Sequence, residues 1–206
     1  MPGSPGTVCA ATVEEVIDRM QNNYEKIADF KARFVQEVTV KTLNKTEREE
    51  GVVYFKNPQR MLWDYTKPKA KKLIINPKQA WLYMPEDRIV YLQSSESIFK
   101  SRVIIKFLTG VGKISDDFLI SFSQPDSIDG SGNYRLTLAA KDHDLGVRQL
   151  YLTVGKDSYQ IIQCRFTDEY GNVTQISFRD MEINKQIPDR FFIFKPPEGV
   201  EIFQTP

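Results

Sequence analysis

The spacing of apolar residues changes once, and sharply, in the first part of the chain. Val13, Val16, Ile17, Met20, Tyr24 and Ile27 recur at helical intervals, while Asp18, Arg19, Asn22, Asn23 and Lys26 occupy the other face. Thr12 followed by Glu15 places a capping box at the head of that stripe, so the pattern predicts an amphipathic helix of about four turns. From Phe30 the period is two. Phe30, Ala32, Phe34, Gln36, Val38 and Val40 share one face of a strand, and Lys31, Arg33, Val35, Glu37 and Thr39 the other. Residues 41–50 read as a charged turn region. Strands follow at 51–56, 60–65, 72–75, 80–84 and 88–92, punctuated by Asn57-Pro58, a Lys/Pro-rich stretch at 66–71, Asn76-Pro77 and Pro85-Glu86-Asp87.

Residues 94–112 interrupt this rhythm. Ser97 is placed to cap a helical segment carrying Ile98, Val103, Ile104, Ile105, Phe107 and Leu108, with Gly110 as its stop. Strands resume at 119–123, 134–139, 149–154, 161–168, 173–183 and 191–194, with turn compositions at 126–133, 141–146 and 169–172. The expected fold class is mainly β (α+β): one long helix, a mid-chain helical segment and about ten or eleven antiparallel strands. So many sequential hairpins suggest a strongly curved sheet or barrel, and its concave face is where the helices can bury their apolar stripes.

Composition narrows the function. The chain has 206 residues, of which 41% are hydrophobic, enough for a core and consistent with one domain over 12–206. Lys+Arg 28 against Asp+Glu 27 leaves a net charge of +1, which argues against a nucleic-acid partner. No apolar run approaches the ~20 residues that span a bilayer, so no integral membrane segment is expected. Residues 1–7 suit neither helix nor strand, and Val8-Cys9-Ala10-Ala11 resembles the small-residue tail of a secretory signal. Residues 1–11 are therefore read as a signal-peptide remnant or an appended tail. Val8 argues against lipid attachment at Cys9. On the remnant reading the mature protein is exported.

The usual catalytic constellations are missing. The single histidine, His143, has aspartates on both sides, but no Gly-x-Ser-x-Gly elbow accompanies it, and it reads as a solvated turn residue. Asp142 and Asp144 start like a calcium loop that then lacks its later acidic positions. The stretch 110–115 has Lys113 but neither the first glycine nor the following hydroxyl of a phosphate loop. Two cysteines and one histidine cannot build a four-thiolate or two-imidazole metal site. No metal, cofactor or enzymatic activity is expected. Lys67, Lys69, Lys71 and Lys72 form the one basic cluster, either a solvated hairpin turn or a docking patch for an acidic partner. Cys164, on an alternating strand, reads as an inert core thiol, and its pairing with Cys9 stays open.

Four stretches, in order, carry a resemblance. They are Asp29-Phe-Lys-Ala-Arg-Phe-Val-Gln36 after the helix; Gly51-x-x-x-Phe-Lys-x-Pro58 leading to Trp63 and Pro68; Leu73-Ile-Ile with Trp81-Leu-Tyr-Met-Pro85; and Phe192-x-Phe-x-Pro-Pro-Glu-Gly-Val200. Together they span nearly the whole chain from Thr12 and resemble the periplasmic lipoprotein carriers of the LolA family. The resemblance implies an incomplete antiparallel β-barrel whose helices form a lid over a hydrophobic cavity. It implies a periplasmic, monomeric carrier that takes acylated lipoproteins from an inner-membrane ABC transporter to an outer-membrane acceptor, without catalysis.

On that reading the lid contributes Val16, Ile17, Met20, Tyr24 and Ile27 to the cavity, the sheet Tyr54, Met61, Trp63 and Tyr83, and the mid-chain segment Ile104, Phe107 and Leu108. Family members close the lid with an arginine just before the proline of the Lys-x-Pro element. Here that position is Asn57, and Arg60 is the other latch candidate. Two rival readings stand beside this one: a lipid- or partner-sensing interaction module on the same scaffold, and a hydrolase using His143.

Overall fold

The computed structural model describes residues 11–96, 113–142 and 147–204. Its first element, α1 (Val13–Lys26), starts as the pattern requires. Thr12 Oγ1 accepts from the Glu15 amide at 3.2 Å, and Glu15 Oε2 accepts from the Thr12 amide at 3.0 Å. This satisfies two amides that a helix start otherwise leaves unpaired. The helix ends where Ile27 turns extended, and the chain passes through Ala28 directly into β1 (Asp29–Val40).

The next strands are β2 (Lys45–Lys56), β3 (Arg60–Lys67), β4 (Lys71–Ile75), β5 (Gln79–Met84) and β6 (Ile89–Ser94). A short helix, α2 (Ile114–Asp117), leads into β7 (Phe118–Phe122), β8 (Tyr134–Ala140), β9 (Gln149–Val154), β10 (Ile161–Thr167), β11 (Val173–Ile183) and β12 (Glu201–Gln204). All twelve strands form one sheet in the order β12-β6-β5-β4-β3-β2-β1-β11-β10-β9-β8-β7. Every pairing is antiparallel except that of β12 with β6. β12 and β7 are the free edges, so the sheet is an incomplete barrel. Native twist curls a sheet of this width.

Three sequence expectations need correction. The charged stretch 41–50 is mostly strand: the turn is confined to Lys41–Leu43 and Asn44, which takes a positive φ of 46°. The β1–β2 arm looks turn-like because it is solvated, and its charges pair along and across it, as in Arg48–Glu50 at 3.0 Å and Lys45–Glu47 at 3.0 Å. Residues 191–194 are not a strand. Asp189–Phe192 is a single 3-10 turn whose aromatics pack sideways against the sheet. The edge strand β12 went unread because its four residues are all exposed and show no alternation.

The register separates two apolar layers. On one face Ala32, Val53, Trp63, Leu73, Leu82 and Tyr91 face one another across β1 to β6, and Phe203 of β12 continues the row. This face carries most of the buried residues, from Leu73 and Ala80 on one side round to Leu136, Leu150 and Phe118 on the other, with α1 packed into the same cluster. On the opposite face of β3 to β6, Leu62, Ile74, Trp81 and Val90 are buried under a C-terminal strap that includes Ile187 and Phe192. Lys56 ties the strap down, donating to the Ile187 carbonyl at 2.8 Å and pairing with Asp189 at 2.6 Å.

The hairpin turns after residue 126 use one device twice. In Asp129–Asn133 and in Asp168–Asn172 the aspartate Oδ1 accepts backbone amides two and four residues on, and glycine at the fourth position takes a positive φ. The Asn133 side chain beside Asp129 holds that carboxyl below the usual carboxylate range.

Gly51 sits at a bulge, where the β2–β3 register shifts between Glu50 and Gly51. The Phe34 ring covers it: a Cβ there would lie 2.9 Å from Phe34 Cε1 and would run into the Asp64 carbonyl. Replacing Gly51 with Ala should therefore lower the unfolding free energy by about 1–3 kcal/mol, as overpacking does. A urea melt checks this, and a midpoint equal to that of the parent would contradict it.

Candidate functional site

The site is the apolar face under α1. Val16, Met20 and Tyr24 are buried on the helix, Ile27 is buried just after it, and Ile17 packs half-exposed at the rim. In the same buried cluster Phe34, Trp63, Tyr65 and Phe178 form an interlocked aromatic floor on the inner sheet face. Phe34 meets Trp63 edge-on at 4.8 Å and Tyr65 at 4.9 Å, and Trp63 lies 6.1 Å from Phe178. Such geometry adds to the area buried. The polar atoms of the floor are bonded: Trp63 Nε1 donates to Met61 Sδ at 2.8 Å and Tyr65 Oη to Gln36 Oε1 at 3.2 Å. The inner face at this floor is therefore largely apolar, with its indole N–H and phenol O–H both bonded within the chain.

Polar contacts fasten α1 at two places. At its C-terminal end Asn57 Nδ2 donates to the Ile27 carbonyl at 2.7 Å, and the Asn57 amide to the Ala28 carbonyl at 2.8 Å. From the other side the Ala28 amide donates to Asn184 Oδ1 at 2.8 Å, and buried Asp29 accepts the Lys185 amide at 2.8 Å. Further up the helix Arg19 donates to Tyr159 Oη at 2.9 Å and Asn23 to the Ser158 carbonyl at 2.6 Å. The Tyr24 hydroxyl, inside, accepts the Ile161 amide at 3.1 Å. Burial pushes the Tyr24 phenol well above its ordinary range, the Ile161 bond opposing this, so it is a neutral hydroxyl at every physiological pH.

The sequence-named residues divide accordingly. Val16, Met20, Tyr24, Ile27, Met61 and Trp63 come together in one cluster with Ile17 at its edge. Tyr54 and Tyr83 do not join them, which is a correction. They lie on the opposite face under the strap, with Tyr54 5.1 Å from Phe191 and Tyr83 5.4 Å from Phe194. Strands β2 to β6 are apolar on both faces, so alternation alone could not say which side turned inward. Ile104, Phe107 and Leu108 lie outside the described residues, as do His143 and Cys9.

Of the two latch candidates Asn57 reaches the helix backbone, whereas the Arg60 guanidinium donates to its neighbour's carbonyl, Pro58 O, at 3.4 Å. Sequence reasoning missed Asn184, Ser158 and Tyr159, which no local pattern marks. Phe34 and Tyr65 were readable as inward-facing from the parity they share with Phe30 and Trp63.

The basic cluster has carboxylate partners within the chain. Lys67 pairs with Glu50 at 3.5 Å, Lys69 with Glu86 at 3.4 Å, Lys71 with Glu49 at 2.6 Å and Lys72 with Asp64 at 3.5 Å. It is a locally neutralised surface, not a free cationic patch. A hollow of about 570 Å³ lies away from α1, between the β10–β11 turn, Lys41 and the start of β9. Its lining of Lys41, Arg148, Asp168 and Glu169 among others is too polar for a hydrocarbon chain.

Comparison with known proteins agrees with this geometry. The family model described as "Outer membrane lipoprotein carrier protein LolA" matches residues 25–195. An outer-membrane lipoprotein carrier protein of Methylococcus capsulatus is 22% identical over 187 residues, covering 90% of this chain and 86% of that one. Among solved structures, an uncharacterized conserved protein from Thermus thermophilus superposes with a TM-score of 0.59 at 14% identity, covering 93% of this chain and 98% of the other. In the Pseudomonas aeruginosa MucA/MucB complex, the matched chain has a TM-score of 0.51 at 8% identity over 87% of this chain and 60% of its own. These two structural likenesses speak for the fold alone.

Two measurements test the site as described. Replacing Asn57 with Ala should cost about 1 kcal/mol and raise hydrogen exchange in α1. Asn57→Asp should cost more at neutral pH, where an ionised carboxylate faces the Ile27 carbonyl, and should recover as the pH falls and the carboxyl regains a proton to donate. A flat pH response would contradict the contact. Cys164 is free and buried, and burial pushes its thiol up to about 12. In a Cys9→Ser background a thiol reagent at pH 8 should therefore modify Cys164 only after unfolding, as mass spectrometry would report.

Proposed function

The chain belongs to the LolA family of outer membrane lipoprotein carrier proteins, and from that premise we propose that it is a periplasmic carrier that shields lipoprotein acyl chains. It would receive them from an inner-membrane ABC transporter and yield them to an outer-membrane acceptor. The observation that carries this reading is a largely apolar, aromatic-floored sheet face that shares one buried cluster with the apolar stripe of α1. Val16, Ile17, Met20, Tyr24, Ile27, Met61 and Trp63 are the proposed lining, Ile104, Phe107 and Leu108 the proposed extension of it, and Asn57, the latch candidate, the proposed tether of the helix base.

The energetics suit handover without an energy source. An acyl chain burying about twelve methylenes at ~0.8 kcal/mol each gains about 10 kcal/mol. To occupy this face it displaces Val16, Met20, Tyr24 and Ile27, whose burial is worth about 1.5–3 kcal/mol apiece, or about 6–12 kcal/mol together. The two terms are of one size. Cargo and lid therefore compete for the same surface, and net affinity stays low enough for a better acceptor to take the chain.

The test is a binding titration with a triacylated lipopeptide and its unacylated counterpart. Acylated peptide alone should bind. Trp63→Ala should weaken binding about tenfold, while Tyr54→Ala on the opposite face should leave it unchanged. Equal affinity for both peptides would reject the carrier reading. Equal effects of the two substitutions would reject this face as the site.

A further inference from the structure

We propose that the β9–β10 turn (155–160) is a catch for α1: Arg19 and Asn23 hold the helix shut against it, and opening is a swing about Ile27–Ala28 that breaks this catch first. The inference deepens the carrier reading, since it takes α1 as the movable cover of the apolar face.

Besides the inner Tyr24–Ile161 bond, α1 is fastened at two places that differ in how many bonds they hold. At Ile27 and Ala28 the backbone is gripped from both sides, by Asn57 at the β2–β3 turn and by Asn184 beyond β11. Asp29 next to them is buried and bonded to the Lys185 amide, and the Asn184 amide donates in turn to the Asp29 carbonyl at 2.8 Å. The Asn57–Ile27 and Lys185–Asp29 bonds are part-buried and the Ala28–Asn184 bond is exposed, so what sets this end apart is number: five hydrogen bonds on three successive residues would have to break together. The same bonds hold the residues through which the helix is covalently joined to β1. This end is built as a pivot.

Arg19 and Asn23 stand one helical turn apart on a single flank of the apolar stripe, and both reach the same turn, more than a hundred residues away in sequence. Arg19 bonds the Tyr159 hydroxyl and also lies 5.2 Å above its ring centroid. These contacts are solvent-accessible, so water can replace each as it breaks, and each holds only weakly. The turn is itself firm. Its ends are joined by Gly155 donating to the Gln160 carbonyl at 2.9 Å and Tyr159 to the Gly155 carbonyl at 2.8 Å. Tyr159 takes a positive φ of 51° and stacks on Tyr134 at 5.9 Å. A rigid turn presenting one hydroxyl, one ring face and one carbonyl to two side chains of α1 can fix the helix in place. Once it lets go, the helix is still held next to it by the buried bond from the Ile161 amide to the Tyr24 hydroxyl, which must break as the swing proceeds.

Hydrogen exchange of the lipid-free protein tests the catch independently of any cargo. In Arg19→Ala/Asn23→Ala, α1 amides should exchange about tenfold faster, while β1 and β11 keep their parent rates. Tyr159→Phe, which keeps the ring stack but removes the hydroxyl that Arg19 and Tyr134 share, should give part of that increase. Unchanged α1 exchange, or acceleration spread equally over α1, β1 and β11, would overturn the proposal. Stopped-flow association of the triacylated lipopeptide is the second readout, and the double variant should capture it about tenfold faster. Faster exchange with no lipopeptide capture by the parent or the variant would leave the catch standing and reject the carrier reading.

Discussion

An open sheet with one largely apolar face cannot be left bare in water, and this constraint organises the molecule. β12 and β7 do not meet, so the incomplete barrel cannot close on itself as a true barrel would. Its inner surface, floored by Phe34, Trp63, Tyr65 and Phe178, needs a cover from elsewhere in the chain. α1 provides three buried side chains on one stripe, Val16, Met20 and Tyr24, with Ile27 buried just after it. Among the described residues α1 joins the sheet covalently through Ile27 and Ala28, and on the carrier reading proposed above it is the cover that moves.

The opposite face of the same strands shows what a permanent cover looks like. There Leu62, Ile74, Trp81 and Val90 lie beneath the strap carrying Ile187 and Phe192, and Lys56 fixes it through a carbonyl and a carboxylate. Both covers bury aromatic and aliphatic surface, so burial alone does not distinguish them. Their attachments do. The strap continues at both ends into strands, β11 before it and β12 after it, whereas α1 joins the sheet only at its C-terminal end among the described strands. Two apolar faces on one set of strands thus serve different ends: one is sealed and the other is stoppered.

Much of this was legible in the sequence. The capping box at Thr12 and Glu15 acts within one turn of helix, so it formed as read. The period-two run from Phe30 needed only the pleat of a strand to place Ala32 and Phe34 inward. The misreadings share a cause. The β1–β2 arm buries neither face at its tip, and so it lacks the apolar alternation that marks a strand. The apolar run at 191–194 reads like a short buried strand, but Phe191 packs on Tyr54 from a 3-10 turn and Phe194, just after it, packs on Trp81 and Tyr83. Tyr54 and Tyr83 were assigned to the wrong side because Leu62, Ile74 and Trp81 make the outward positions as greasy as the inward ones.

Interactions with a short reach along the chain were therefore determined by the sequence: the helix and its stripe, the pleated runs and the hairpin turns. Which side of the doubly apolar strands faced α1 was decided only by the tertiary structure. So was the fastening of the helix, which depends on side chains that no local pattern singles out. Asn57, Ser158, Tyr159 and Asn184 act on a helix 30 to 156 residues distant in the chain. A hydrogen bond forms only within about 3 Å, and only the folded register of twelve strands brings those partners that close.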